Sequence, residues 1–155
     1  GGIPFVDISN LTMKNIQRGR ILYTRQKTHG DINIKLCDQA KEIIKKYATH
    51  QKTANYLFPI LNANIHKTEL QKQNRRHKVL AQVNNELKEL ATELEIESKL
   101  TTYVARHSFA SVLKKSGVSV ALISEALGHT DLKTTQIYLD SFENTQIDAA
   151  MQNLL

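Results

Sequence analysis

The sequence predicts a mainly α-helical domain with a small antiparallel β-sheet near the N-terminus, an α+β arrangement. Three observations carry this. Ile32, Ile34 and Leu36 alternate with polar neighbours just after a turn containing Gly30, the pattern of a half-buried strand. From Thr68 to about Glu97, apolar residues recur at helical spacing. Beyond Thr101, capping hydroxyls and the stopping glycines Gly117 and Gly128 punctuate the chain at short helical intervals.

The elements follow in order. Phe5, Val6, Ile8 and Leu11 lie close to helical spacing after Pro4, whose missing N–H suits a first helical turn, so we expect a short helix from Pro4 to Leu11. Arg20 to Arg25 and Asp31 to Leu36, joined through Lys27-Thr28-His29-Gly30, predict a β-hairpin with Lys27 near its tip or rim. Asp38 can cap a helix to about Thr49, with Ala40, Ile43, Ile44, Tyr47 and Ala48 inward. Leu57 to Leu61 is apolar, but Pro59 removes a ladder donor, so it is a buried loop or an edge strand.

The stretch from Thr68 to Glu97 carries the stripe Val79, Leu80, Val83, Leu87, Leu90 and Leu94. It is one helix, or two with a break near residues 72–74. Its first half is basic (Lys67, Lys72, Arg75, Arg76, His77, Lys78) and its second half acidic (Glu86, Glu89, Glu93, Glu95, Glu97). A charge run is most often a solvated face, yet the asymmetry suggests that one end meets phosphates. Late acidic residues oppose the helix dipole, so tertiary packing is expected to hold that end. Thr101 or Thr102 caps a helix running to Ser116, with Val104, Phe109, Val112 and Leu113 inward. Ser119 caps another through Leu127, with Leu122, Ile123 and Leu127 inside. Thr130 or Asp131 starts the helix that carries Tyr138, and residues 143–155 form a last amphipathic segment that needs a dock in its own domain or on a neighbouring copy.

A length of 155 residues suits one domain with a real core. The net charge of +6 favours a polyanionic partner through phosphate neutralisation, although charge alone does not decide it. Cys37 is the only cysteine, which excludes an internal disulfide and favours an intracellular origin. No apolar run is long enough for a membrane-spanning helix, and no signal peptide is visible. Gly1-Gly2-Ile3-Pro4 is neither a cap nor a targeting segment, and we expect the chain to begin partway into something larger or just after a removed tag. His29, His50, His66, His77 and His107 show no metal-ligand spacing with Cys37 or each other.

Chemistry concentrates between Arg106 and Tyr138. An arginine fork fits phosphate oxygens two at a time. A histidine donates a hydrogen bond or moves a proton near neutral pH, and an activated tyrosine is a covalent nucleophile. Taken singly, Arg106 fits a core salt bridge, His129 a helix-ending histidine, Tyr138 half-buried packing and Lys27 a solvated turn charge.

Together, Ala105-Arg106-His107-Ser108-Phe109-Ala110, Leu127-Gly128-His129 and Thr134-Thr135-Gln136-Ile137-Tyr138, in this order after a lysine-bearing hairpin, resemble the catalytic domain of the tyrosine recombinase (phage integrase) family. The resemblance covers nearly the whole chain. The stretch Thr101 to His107 is similar to integrases of bacterial mobile elements such as conjugative transposons.

The resemblance implies the fold of that domain, residues 1–155 as one catalytic unit, and a DNA strand-breaking and rejoining activity. Tyr138 would attack a phosphate and hold it as a 3′-phosphotyrosine, without cofactor, ATP or metal. Arg106 would bind the non-bridging oxygens, His129 would add a hydrogen bond, and Lys27 would protonate the leaving 5′-oxygen. Asp7 matches an acidic supporting position, His107 is a further supporting residue, and Lys72, Arg75, Arg76 and Lys78 are candidate DNA contacts. The implied partners are double-stranded DNA, a homotetramer assembled on it with residues 143–155 docking in trans, and accessory DNA-bending proteins. The implied location is the bacterial cytoplasm, at the nucleoid. An N-terminal DNA-clamping domain, which the family places before this one, is expected outside this chain. A catalytically impaired DNA-binding module is the alternative.

Two departures stand out. Pro4 occupies the position of the family's first arginine, so Arg18, Arg20, Arg25 or an upstream arginine must substitute, or catalysis is impaired. Tyr103 stands where many members carry histidine, and its hydroxyl can still donate to phosphate.

Overall fold

The computed structural model describes residues 2–48 and 55–140. Helix α1 spans Phe5–Asn10, strands β1, β2 and β3 span Ile16–Gln17, Arg20–Thr24 and Asp31–Lys35, and helices α2 to α5 span Asp38–Ala48, Glu69–Glu93, Thr102–Lys115 and Val120–Leu127. Residues 132–140 form a further helix. The amphipathic segment expected over residues 143–155 lies outside the described residues.

The sheet is antiparallel in the order β1-β2-β3. The hairpin register pairs Ile21 with Ile34 and Tyr23 with Ile32, which sets the alternating apolar side chains on one face. Strand β1 was not foreseen. It has only two residues, too few for alternation to register.

Two apolar cores result. One joins the sheet to its flanks through Leu11, Ile21, Leu36 and Leu57, with Ala40 and Ile44 of α2 against it. The other joins α4, α5 and the 132–140 helix through Ala110, Ile123, Leu127 and Leu139. The apolar stretch after Tyr56 is a buried loop, fastened by a hydrogen bond of 2.7 Å from Leu57 N to Leu11 O.

Helix α3 is continuous through residues 72–74. It starts in a capping box, with Thr68 accepting from Gln71 N while the Gln71 side chain accepts from the Thr68 backbone. Its acidic end is not held by the expected packing. Ala91 is buried there, but Leu90 and Leu94 are largely exposed. Backbone bonds from Leu94 N to Leu90 O and from Ile96 N to Ala91 O close the end, with Glu95 in the left-handed region at φ 53°.

Several other expectations change. Pro4 sits before the first helical residue, with extended ψ of 150°, rather than inside α1. Helix α1 buries Asp7 and Ser9 together with the neighbouring Leu11, because Asp7 is engaged by the hairpin. Asp38 is the first residue of α2 and pairs with Lys41 at 2.7 Å instead of capping. Ile43 and Tyr47 are exposed, since α2 presents Ala40 and Ile44 to the core. Val112 and Leu122 point outward at 60% and 58% exposure, because α4 and α5 bury the Arg106–Ala110 and Ile123–Leu127 rows instead.

Gly128 ends α5 at φ 63°, with Gly128 N bonded to Glu125 O and His129 N to Ser124 O, a Schellman stop. A Cβ at this position would collide with Arg25 Cδ and lie 3.0 Å from Ile32 Cδ1. Gly128→Ala is therefore expected to destabilise the domain by at least about 1–3 kcal/mol in chemical denaturation, from backbone strain and overpacking. An unchanged midpoint would contradict this packing.

Candidate active site

A cleft of about 610 Å³ opens between the hairpin turn, α4 and the segment after α5, and Arg25, Lys27, Tyr103, Arg106, His129 and Thr134 are among its lining residues. Arg106 projects from α4 and is 7% exposed. It donates from Nη1 to Gly2 O and from Nη2 to Leu127 O at 2.7 Å, and Nη2 also lies 3.3 Å from His129 Nε2. The glycine stop of α5 turns the chain so that His129 faces this guanidinium.

Helix α4 is anchored from outside itself. Thr101 makes no side-chain cap bond, and Asn84 of α3 accepts from Thr102 N at 2.9 Å instead. That contact supplies the cap for the helix that carries Tyr103 and Arg106.

Lys27 is exposed, but the turn that carries it is pinned on both sides. Gln26 N donates to Asp7 Oδ1 at 3.0 Å, and Thr28 Oγ1 donates to Gly128 O at 2.8 Å. Asp7 also forms a buried ion pair with Arg25, with Nε to Oδ2 at 3.4 Å. Arg25 Nη1 reaches Leu127 O and Gly128 O. Among the arginines weighed as substitutes for the residue missing at Pro4, Arg25 is at the cleft. Arg20 is committed to Asn33 across the hairpin, and Arg18 sits exposed in the β1–β2 turn.

Tyr138 stands beside the cleft. Its ring stacks on His107 at 4.9 Å and meets His129 edge-on at 5.9 Å, while Tyr103 packs its edge on His107 at 4.2 Å. The Tyr138 hydroxyl oxygen is buried. Burial pushes this phenol up to about 12, Tyr103 adds to the rise, and the Arg106 charge opposes it. Burial, then the positive charges of Arg106, Arg25 and Lys27, hold His129 below its ordinary value. Burial and Arg106 do the same to His107. Burial, then the charge of Arg25, also lowers Arg106 from its ordinary value.

The structure thus gathers Arg106, His129, Tyr138, Tyr103, His107 and Lys27 in one region, with Asp7 directly behind the hairpin turn. The candidate DNA contacts of α3 lie apart. Lys72 and Arg76 pair with Glu69 at 2.7 and 3.5 Å, Arg75 Nε donates to Ile60 O at 3.1 Å, and Lys78 is exposed. Sequence reasoning passed over Asn84 and Thr135, and it saw in Arg25 only one of several substitutes. Thr135 is fully buried, with Oγ1 2.8 Å from His129 Nδ1. Its place one helical turn before Tyr138 was the available signal.

Cations converge on this cleft, with a phenol alongside, an arrangement chemically suited to an anion. The chain belongs to the phage integrase family, whose model matches residues 2–145. It is 46% identical over 52 residues to the tyrosine recombinase XerD of Halalkalibacterium halodurans, a match covering 34% of this chain and 17% of that protein. It is 25% identical over 154 residues to the tyrosine recombinase XerA of Saccharolobus solfataricus, covering 96% of this chain and 46% of the relative. The chain therefore spans less than half the length of these relatives. A crystal structure of XerA recombinase shares the fold with a TM-score of 0.65 at 21% identity, over 89% of this chain and 47% of that one. The Tn1549 transposon integrase in complex with a circular intermediate DNA does so with a TM-score of 0.62 at 16% identity, over 88% and 50%.

The raised phenol has a measurable consequence. Tyr138 is held neutral in the fold at about 12, above the roughly 10 expected when unfolded. Its contribution to stability is present below about pH 10 and is lost as pH rises toward about 12. Tyr23, pushed to about 12 mainly by burial and then by Asp7, behaves alike. Absorbance titration should show a phenolate component near pH 12 that shrinks in Tyr138→Phe and again when Tyr23→Phe is added. A component unchanged by Tyr138→Phe would contradict the burial of this hydroxyl.

Proposed function

We propose that this chain is the catalytic domain of a site-specific DNA recombinase that breaks and rejoins strands through a 3′-phosphotyrosyl intermediate. The observation that carries this is the meeting of Arg106, His129 and Tyr138 beside one cleft that Lys27 also lines. Tyr138 Oη bonds to phosphorus as the bond from phosphorus to the 5′-oxygen breaks. The Lys27 ammonium gives its proton to that oxygen, and the phenol proton leaves through the cleft to solvent. Arg106 and His129 stabilise the charge on the non-bridging oxygens. Arg25, beside Arg106 at the cleft, supplies the second guanidinium that Pro4 cannot. Tyr103 donates a further hydrogen bond, and the reverse step with a new 5′-hydroxyl reseals the strand.

The substrate is double-stranded DNA, with the exposed Lys78 of α3 toward its backbone. The active assembly is a homotetramer on two DNA sites, with residues 143–155 reaching a neighbouring protomer, at the bacterial nucleoid. Among the described residues, no helix is long and apolar enough to cross a membrane.

A nicked duplex carrying the recombination site, from which the cut fragment diffuses away, tests this reading. The full-length protein should form a covalent adduct that Tyr138→Phe abolishes. Arg106→Ala should slow adduct formation by about 10²–10³-fold while nonspecific binding at low salt stays within about threefold. Binding without any adduct would leave a DNA-binding module, and no binding at low salt would remove both readings.

A further inference from the structure

The two ring nitrogens of His129 meet unlike partners. Nε2 lies 3.3 Å from Arg106 Nη2, and Nδ1 lies 2.8 Å from the Oγ1 of the fully buried Thr135. A guanidinium nitrogen only donates, so Nε2 accepts in the DNA-free protein and carries no proton. The neutral ring then holds its single proton on Nδ1. A hydroxyl can work in either direction, so beside a donating Arg106 the shorter contact has Thr135 accepting from Nδ1–H, and the two contacts together hold this form.

We propose that Thr135 is a positioning residue for His129, which fixes the proton on Nδ1 and keeps a basic Nε2 turned toward the cleft until a phosphate arrives. The hydrogen bond at one ring nitrogen selects the state of the other. The groups facing this ring are Arg106 from α4, Arg25 and Lys27 from the hairpin turn, and the Tyr138 ring from the same helix as Thr135. Three of the four are cations, and after burial they disfavour the charged ring in the absence of an anion. When a DNA phosphate draws the Arg106 N–H groups to itself, it also offsets those charges. Nε2 then takes up a proton from the solvent's hydronium or buffer acid, and the imidazolium hydrogen-bonds through Nε2–H to a phosphate oxygen while Nδ1–H stays hydrogen-bonded to Thr135. This role in the reaction rests on the phosphodiester reading above. The placement of the proton in the free protein does not.

The test therefore has two arms. In the ¹⁵N-labelled, DNA-free chain, correlation of the imidazole nitrogens should show His129 protonated on Nδ1 at neutral pH. Thr135→Ser should keep that form, and Thr135→Val should lose it. A ring protonated on Nε2 in the wild type, or a Thr135→Val spectrum like the wild type, would overturn the proposal. Should Thr135→Val fail to fold, the wild-type and Thr135→Ser spectra decide.

In the second arm, on the nicked duplex, Thr135→Val should slow adduct formation by about tenfold to a hundredfold, the effect of leaving a buried N–H unpaired. DNA affinity should stay within about threefold. The pH profile should move to lower pH, because the protonated ring loses its Nδ1 acceptor. Thr135→Ser should restore both rate and profile. Equal losses in the two variants, or a Thr135→Val profile that does not move, would overturn the proposal. Absence of any adduct in the wild type would instead sink the recombinase reading, with the nitrogen spectra still deciding the placement of the proton.

Discussion

The carbonyl of Leu127 holds the site together. It lies at the end of α5, where helix carbonyls lack intrahelical partners and carry the negative end of the helix dipole. Two guanidinium groups use it. Arg106 Nη2 donates to it at 2.7 Å, and Arg25 Nη1 donates from a residue 102 positions earlier in the chain. One backbone oxygen thereby fastens the hairpin and α4 to the same helix end and joins the two apolar cores. The left-handed Gly128 that follows exposes this carbonyl and starts the turn that delivers His129.

Behind that junction, Asp7 supplies the counter-charge. Its two oxygens are divided between the Arg25 guanidinium and the Gln26 backbone N–H. Breaking a buried pair of this kind leaves an uncompensated charge, which typically costs about 3–5 kcal/mol. The pair therefore stiffens the turn that presents Lys27, and a residue that looks like an ordinary solvated lysine is carried on a fixed support. Meanwhile the hydrogen bonds of Arg106 run to two carbonyls and an imidazole rather than to a carboxylate. Its charge stays available to an incoming anion and, after burial, helps hold His129 below its ordinary value.

Much of the helical framework was legible because it rests on local rules. The Ser119 cap, the Gly117 and Gly128 stops and the hairpin alternation each depend on residues a few positions apart. Arg106, His129 and Tyr138 were legible as a set from their order and resemblance, and the structure places them together. What escaped depends on distance along the chain. Asn84 caps a helix that begins at Thr102, which no local window connects. Arg25 reads as a strand-end charge until Asp7 and Leu127 are seen beside it. Val112 and Leu122 read as core because periodicity marks an apolar face without saying what covers it. The basic start of α3 reads as a phosphate contact, whereas Glu69 and the Ile60 carbonyl already engage three of its cations.

The position of Tyr138 on its helix sets how it can reach a substrate. Thr135 and Leu139, on either side of it, are both fully buried. Sliding or unwinding this helix would pull Leu139 out of the second core, a loss of about 2–5 kcal/mol by analogy with emptying a buried leucine site. Turning the side chain about its own bonds takes the ring off His107, off the edge of His129 and away from its packing on the second core, while Leu139 stays in place. The phenol is thus mounted like a gate arm on a fixed post. Its exposure calls for rotation of one packed side chain rather than rearrangement of a domain.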